Sequence, residues 1–412
     1  MTEVIEIKRL VEQAVEQAKI TDIHTHLYAS CFGSLFLYGV DELLTYHYLI
    51  SEAFRWMDIP YEKFWFLSKR EQADLVWKAL FLDHAPISEV TRSLLTVFKE
   101  LGLDVINRDL DYYRSYFAAQ KLPAYIDTVF RITGLESLVM TNDPFDDTER
   151  SVWEQGYTED KRFKAALRLD ALLNTWDKAV VKLNSWGCRV KTDLSGSTVE
   201  EIRKFLRAWV EKMRALYCAV SLPPEFSMDD GSARAKLIEE CVLPVCREYG
   251  IPFALMIGVR RQVNPGLRLA GDALGRTDLG SIRYLASSYP DLKFLVTLLS
   301  LENQHELIVM ARKFRNIMPF GCWWFMNNPT IVKNLTAMRL EMLGASFIPQ
   351  HSDCRVFEQL ISKWMHFKKI FRELLTEKYL ELAETGFIIG EAEIKRDVQD
   401  MLGGNFWRFI KQ

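Results

Sequence analysis

The sequence predicts a (β/α)8 TIM-like barrel with a helical insertion between strands 1 and 2. Three observations carry that prediction: eight short apolar runs of strand length, helical stripes between the later runs, and one long helical interval that breaks the rhythm. At 412 residues the chain is long for one barrel unless it carries an insertion, and an apolar content of 49% is ample for a sizeable core.

In chain order, residues 1–19 read as an amphipathic helix; glutamates interrupt its apolar residues, which argues against a signal peptide. The strand candidates are 21–26, 137–141, 165–170, 217–222, 252–259, 292–299, 317–323 and 345–350. Most are continuously apolar, as strands covered on both faces should be. The clearest helical stripe is Val199, Ile202, Phe205, Leu206, Trp209, Val210 and Met213, with Thr198 and Glu201 as a capping-box signature at its start. Similar patterns cover 233–248, 303–314, 329–342 and 355–383. A doubly wound open sheet is the alternative, but no G-x-G-x-x-G follows the first strand. Residues 36–135 look almost wholly helical, with Trp56, Phe64, Trp65, Phe66 and Trp77 spaced as a helical core. The expected division is therefore a barrel over 1–35 and 136–412 and an insertion over 36–135, packed on the barrel mouth.

A net charge of −3 offers no footprint for nucleic acid or an anionic membrane, and pairs such as Arg260-Arg261 read as solvated faces. No apolar run reaches the roughly 18 residues a membrane span needs. The seven cysteines are scattered, which fits reduced thiols in a cytoplasmic protein. Nothing in the sequence decides between a monomer and a homo-oligomer.

The chemistry-bearing residues gather at predicted strand ends. In "DIHTHLY", His24 and His26 lie two apart on a strand and so share a face, at the end where barrel enzymes do their chemistry. A lone imidazole there is a core residue; two in register suit a divalent metal, zinc first among them. "HSDCR" places His351, Asp353 and Arg355 just past the last strand, which closes the barrel beside the first. Asp353 could ligate the ion or act as a base; alternatively Ser352 or Asp353 merely caps the next helix. Arg168 ends the third strand, where it meets either a substrate carboxylate or an internal partner such as Asp170. His47 and Tyr48 gain interest only because their segment follows strand one closely enough to fold over the mouth.

Together, "TDIHTHL", "DELLTYHYL", "MTNDPFDD", "AALRLD", "FGCWWFMNNP", "HSDCRVF" and "NFWRF" resemble the uronate (glucuronate) isomerases of the amidohydrolase superfamily, almost end to end. The resemblance implies a barrel enzyme interconverting aldose and ketose hexuronates through an enediol: D-glucuronate with D-fructuronate, or D-galacturonate with D-tagaturonate. It implies a divalent metal, commonly zinc, on His24, His26 and Asp353. His47, Tyr48, Arg168 and Arg355 would line the substrate site, with Trp323 and Trp324 matching an aromatic pair near the pocket. On this reading Asp353 is the proton-transfer base, with Tyr48 or His47 as its acid partner, and Arg168, Arg355 and Trp324 bind substrate. One departure stands out: the family pattern has an arginine after the serine that follows strand six, and this chain has Leu301.

Two rivals stand beside this reading. One is a metal-dependent hydrolase or lactonase on acid sugars. Against it, "AVSLPP", "LMIGVRR" and "TLLSLEN" lack the lysine and histidines that superfamily hydrolases carry after strands four to six. The other is a non-catalytic uronate-binding paralogue, suggested by Leu301.

Overall fold

The computed structural model describes residues 2–157 and 160–411. Its frame is a seven-stranded parallel sheet hydrogen-bonded in chain order. The strands are β1 (Ile20–Thr25), β2 (Leu135–Asn142), β3 (Phe163–Arg168), β4 (Cys218–Leu222), β5 (Phe253–Ile257), β6 (Phe294–Leu298) and β7 (Ile317–Pro319). The helices used below are α1 (Thr2–Gln17), α2 (His47–Ala53), α3 (Glu89–Glu100), α4 (Thr198–Met213), α5 (Pro329–Leu343), α6 (Gln359–Glu384) and α7 (Asn405–Lys411).

The eighth barrel position is held by an irregular segment, not by the strand expected over 345–350. Ile348 bridges Phe320 next to β7, and Gly321 N–H donates to Ile348 O at 2.8 Å. On the other side Asp353 N–H donates to His24 O (3.2 Å) and His26 N–H donates to Cys354 O (2.8 Å). These bonds close the ring between β7 and β1. Pro349 has no N–H to give a ladder, and Asp353 has a φ of 54°, so no regular strand can run through them. β7 is likewise shorter than the expected 317–323, ending at Pro319 before Gly321 turns at φ 59°.

The two faces of the sheet bury different clusters. Val139, Ala166, Tyr217, Ala219, Ala254, Met256 and Leu295 fill the barrel, whereas Leu138, Leu167, Val220, Leu255 and Val296 face the helices. α7 plugs the end away from the strand C-termini: Phe406 and Phe409 join the inner cluster, and Trp407 Nε1 donates to Thr21 Oγ1 at 2.9 Å. That is the structural use of "NFWRF".

α4 buries Ile202, Phe205, Leu206, Trp209, Val210 and Met213 as the stripe predicts. Its capping box is absent. Ser197 is the N-cap, and the Thr198 hydroxyl is spent on the preceding loop, donating to Ser195 O (2.7 Å) and accepting from Lys191 N–H (3.0 Å). α6 begins at Gln359 rather than 355, because residues before it belong to the closing segment.

The interval between β1 and β2 is helical, as expected, but only part of its aromatic set is core. Phe64 and Trp77 are buried and Trp65 is half-buried, its indole donating to Gly266 O at 2.8 Å. Trp56 stacks on His84 at the surface and Phe66 is exposed. Helix Tyr61–Phe66 is barely two turns long, so Phe66, two residues past Phe64, falls on its opposite side. This interval is tied to the barrel through Glu358, whose buried Oε1 accepts from Gly39 N–H (3.0 Å) and Tyr125 Oη (2.9 Å).

Burial pushes the Glu358 carboxyl up to about 7, so the folded state holds a proton that the unfolded chain releases near 4.5. That contribution to stability is full below about pH 4.5 and lost as pH rises through about 7. Urea unfolding at pH 4.5 and pH 8 should therefore show Glu358→Gln gaining roughly 2–4 kcal/mol on the native protein across that window. Parallel pH profiles would remove this account. A second prediction concerns Gly321, where an added Cβ would stand 1.8 Å from His351 Nδ1 in a left-handed backbone. Gly321→Ala should cost at least about 2 kcal/mol and displace the segment that carries Asp353; an unchanged melting temperature would show that the segment can yield.

Candidate active site

His24 lies at the end of β1 and His26 one residue past it, and Asp353 reaches them from the closing segment. Asp353 Oδ1 lies 3.9 Å from His24 Nε2 and 3.4 Å from His26 Nε2. One ligand atom from each of the three falls within a 4.8 Å group. The alternative in which "HSD" caps a helix is not what forms, because the N-cap of α6 is Glu358.

Strict alternation would point Ile23 and His24 to opposite faces. Between Asp22 and Thr25, however, β1 carries a bulge against Leu138 and Met140 of β2. Ile23 joins the inner cluster while His24 also meets inward groups, with Nδ1 3.1 Å from Tyr217 Oη. The Tyr217 hydroxyl donates its one proton to Ile23 O at 2.6 Å, and that of Thr141 goes to Thr25 O at 2.8 Å. Both hydroxyls can therefore only accept from His24, which assigns the proton to Nδ1 and leaves the Nε2 lone pair facing Asp353. Such a bond to the far nitrogen is how metal-binding histidines are oriented. Tyr217, immediately before β4, is a partner of His24 that motif spacing alone does not find.

Asp22 supports the same junction from behind. Its buried carboxylate accepts from Ser352 N–H (3.1 Å) and from the Trp364 indole of α6 (2.9 Å). Burial pushes its carboxyl up to about 6, with those hydrogen bonds opposing the rise.

Burial also keeps the imidazoles neutral. It drives His24 down to about 3, and with Arg355 and Arg168 drives His26 well below its ordinary value. Burial raises Asp353 to about 7 against the pull of Arg355 and Lys363. His24 Nε2 and Asp353 Oδ1 are sealed from solvent without a hydrogen-bond partner. Buried acceptors of this kind require a counterpart. Two neutral imidazoles and a carboxylate, aimed at one another with unspent lone pairs, fit a divalent cation.

The remaining expected residues surround this cluster. His47 and Tyr48 open α2; the His47 ring stands edge-on to Trp324 (5.6 Å), and Tyr48, Trp324 and Asp353 line one cavity. Burial holds Tyr48 protonated far above its usual range and His47 neutral. Trp324 adopts a φ of 47°, a strained conformation of the kind that gathers at functional sites. Trp323 is core, packed in the inner cluster. Arg168 is ion-paired with Asp170 at 3.1 Å, so the internal partner weighed from sequence exists, and its charge still acts on His24, His26 and Asp353. The Arg355 guanidinium has no ion-pair or hydrogen-bond partner among the described residues, although its charge reaches His26, His47 and Asp353.

Arg261 departs from its expected role as a solvated residue. It pairs with buried Asp272 at 2.6 Å and holds its guanidinium 5.9 Å over the Trp324 ring. Its loop has no motif that would have revealed this. Arg260 does behave as a surface residue, paired with Glu225. Leu301 lies half-exposed in the turn after β6 and is not part of the cavity lining beside Asp353. His305 is exposed on the following helix, and β4, β5 and β6 end without lysine or histidine. Among the described residues no helix is long and apolar enough to cross a membrane, and all seven cysteines are free.

No family model and no curated protein matches the sequence. Solved structures do match. The crystal structure of a uronate isomerase from Bacillus halodurans is 50% identical, covers 99% of this chain and 97% of its own, and superposes with a TM-score of 0.97. A uronate isomerase from Thermotoga maritima (17% identical, covering 98% and 97%, TM-score 0.77) shares the fold. So does a glucuronate isomerase from Caulobacter crescentus (18% identical, covering 99% and 94%, TM-score 0.71). Identity at half of all positions, sustained along both chains, establishes that this protein belongs to the uronate isomerase family.

Proposed function

We infer that the protein is an aldose–ketose isomerase of hexuronates, acting on D-glucuronate, D-galacturonate or both. Its family membership supports the reaction. The observation that carries the assignment of residues is the meeting of His24, His26 and Asp353 near Arg355, whose guanidinium has no ion-pair partner among the described residues. We assign His24, His26 and Asp353 as ligands of a divalent metal and take zinc as the first candidate, on the chemistry of the donor set. Once bound, the ion supplies positive charge that polarises a substrate oxygen.

The chain's own groups account for the rest. Isomerisation removes a proton from C2 of the open-chain aldose and returns one to C1, through an enediol. Arg355, assisted by Arg168, binds the substrate carboxylate and turns the encounter into an oriented one. Asp353 takes the C2 proton and delivers it to C1. Tyr48, kept protonated by burial, donates to the O1 carbonyl oxygen as the enediol forms and takes back the O2 hydroxyl proton as the ketose carbonyl forms, and His47 serves ring opening. Trp324 walls the sugar from water. Free thiols fit a reducing, cytoplasmic setting.

Proton NMR of the protein with each sugar in D2O should show the matching ketose appear, and chelation should abolish it while lowering bound metal. Failure with both sugars, in the presence of a working reference isomerase, would defeat the assignment. Asp353→Asn should lower turnover by about 10² to 10⁴ with the fold intact. Metal content measured beside it separates loss of the base from loss of the ion, and near-native turnover would remove Asp353 from the mechanism.

A further inference from the structure

The cavity beside Asp353 contains an ion pair that the mechanism above does not use. Lys363 Nζ on α6 meets Glu89 Oε1 on α3 at 3.1 Å, with side chains only 11% and 16% exposed. Both line the cavity with Asp353, Tyr48 and Trp324, and among the described residues these two and Asp353 are its charged lining groups. The wall from the helical interval is otherwise largely apolar, including Leu43, Leu49, Leu94 and Val97. Lys363 lies near enough for its charge to act on Asp353 and His47, and that of Glu89 acts on Tyr48.

Each partner keeps unspent hydrogen-bonding capacity. Of the three Lys363 N–H groups, one donates to Glu89 and one, at 3.5 Å, to Asn327 O. Glu89 Oε1 accepts from Lys363 and from Ser93 Oγ (3.0 Å), whereas Oε2 accepts from no described group and is not among the sealed polar atoms. A pair serving only to clamp two helices has no need of a spare donor and a spare acceptor side by side. A sugar hydroxyl uses both at once, accepting from the ammonium and donating to the carboxylate. Hexuronate epimers differ in the direction of one hydroxyl, and the wrong epimer would leave both groups unpaired in a largely buried wall.

Resting on the isomerase reading, we propose that the Glu89–Lys363 pair binds a hydroxyl of the hexuronate and determines which epimer is preferred. The test compares kcat/KM for D-glucuronate and D-galacturonate in the metal-loaded native enzyme, Glu89→Gln and Lys363→Met, with melting temperature and metal content as controls. Where one sugar is not turned over, its inhibition constant against the other takes its place. The expected result is a change in the ratio between the two sugars of at least about tenfold, with metal content unchanged. An equal loss for both sugars, the ratio staying within about twofold, would make the pair a structural clamp and overturn the proposal. If Lys363→Met does not fold, the isosteric Glu89→Gln decides alone by the same ratio. Inactivity of the native enzyme on both sugars would defeat the isomerase reading and this proposal with it, an outcome distinct from activity with an unchanged ratio.

Discussion

The active end of this protein depends on one junction: the main-chain hydrogen bonds that fasten the closing segment to β1. Asp353 N–H reaches His24 O, and His26 N–H reaches Cys354 O. The same residues whose side chains converge are thus held together by backbone, so their spacing does not rely on flexible side chains. Asp353 sits at φ 54°, a conformation that costs an L residue about 1–2 kcal/mol. It is sustained because both sides are fixed, by β1 and by the Asp22 carboxylate holding Ser352 and Trp364.

Burial sets the chemistry of what the junction assembles. Removing two imidazoles from water keeps them neutral and hence able to ligate; removing Asp353 from water raises it toward neutrality. Positive charge on Arg355 and Arg168 offsets part of that rise. The neighbouring core tolerates a further desolvated cation. Arg339 of α5 is fully buried, donating to Gly321 O at 2.8 Å and facing Gln304 Oε1 at 3.5 Å, with no carboxylate paired to it among the described residues. It braces the turn that meets His351, so cost in the core is accepted where it holds the site in place.

Much of the fold was legible in the sequence because both periodicities are strong. Strands buried on two faces read as apolar runs, and the α4 stripe came out nearly residue for residue. Boundaries failed where local rules met a competing demand. The strand expected over 345–350 gave way to Pro349 and Asp353, the Thr198 capping box to a loop hydrogen bond, and the aromatic cluster lost Trp56 and Phe66 to the surface.

By itself the sequence determined the barrel class, the two histidines of "DIHTHLY" at a strand end, and Asp353 as their distant partner, since spacing and order along a chain encode which ends of which strands carry polar groups. Only the tertiary structure decided the tautomer of His24, which depends on Tyr217 almost 200 residues away. It also decided that Arg168 is paired whereas Arg355 has no ion-pair partner among the described residues, that Arg261 turns toward Trp324, and that Glu89 and Lys363 meet across a cavity. Hydrogen bonds and ion pairs act over about 3 Å in space, and no local pattern records which residues the closed ring brings within that distance.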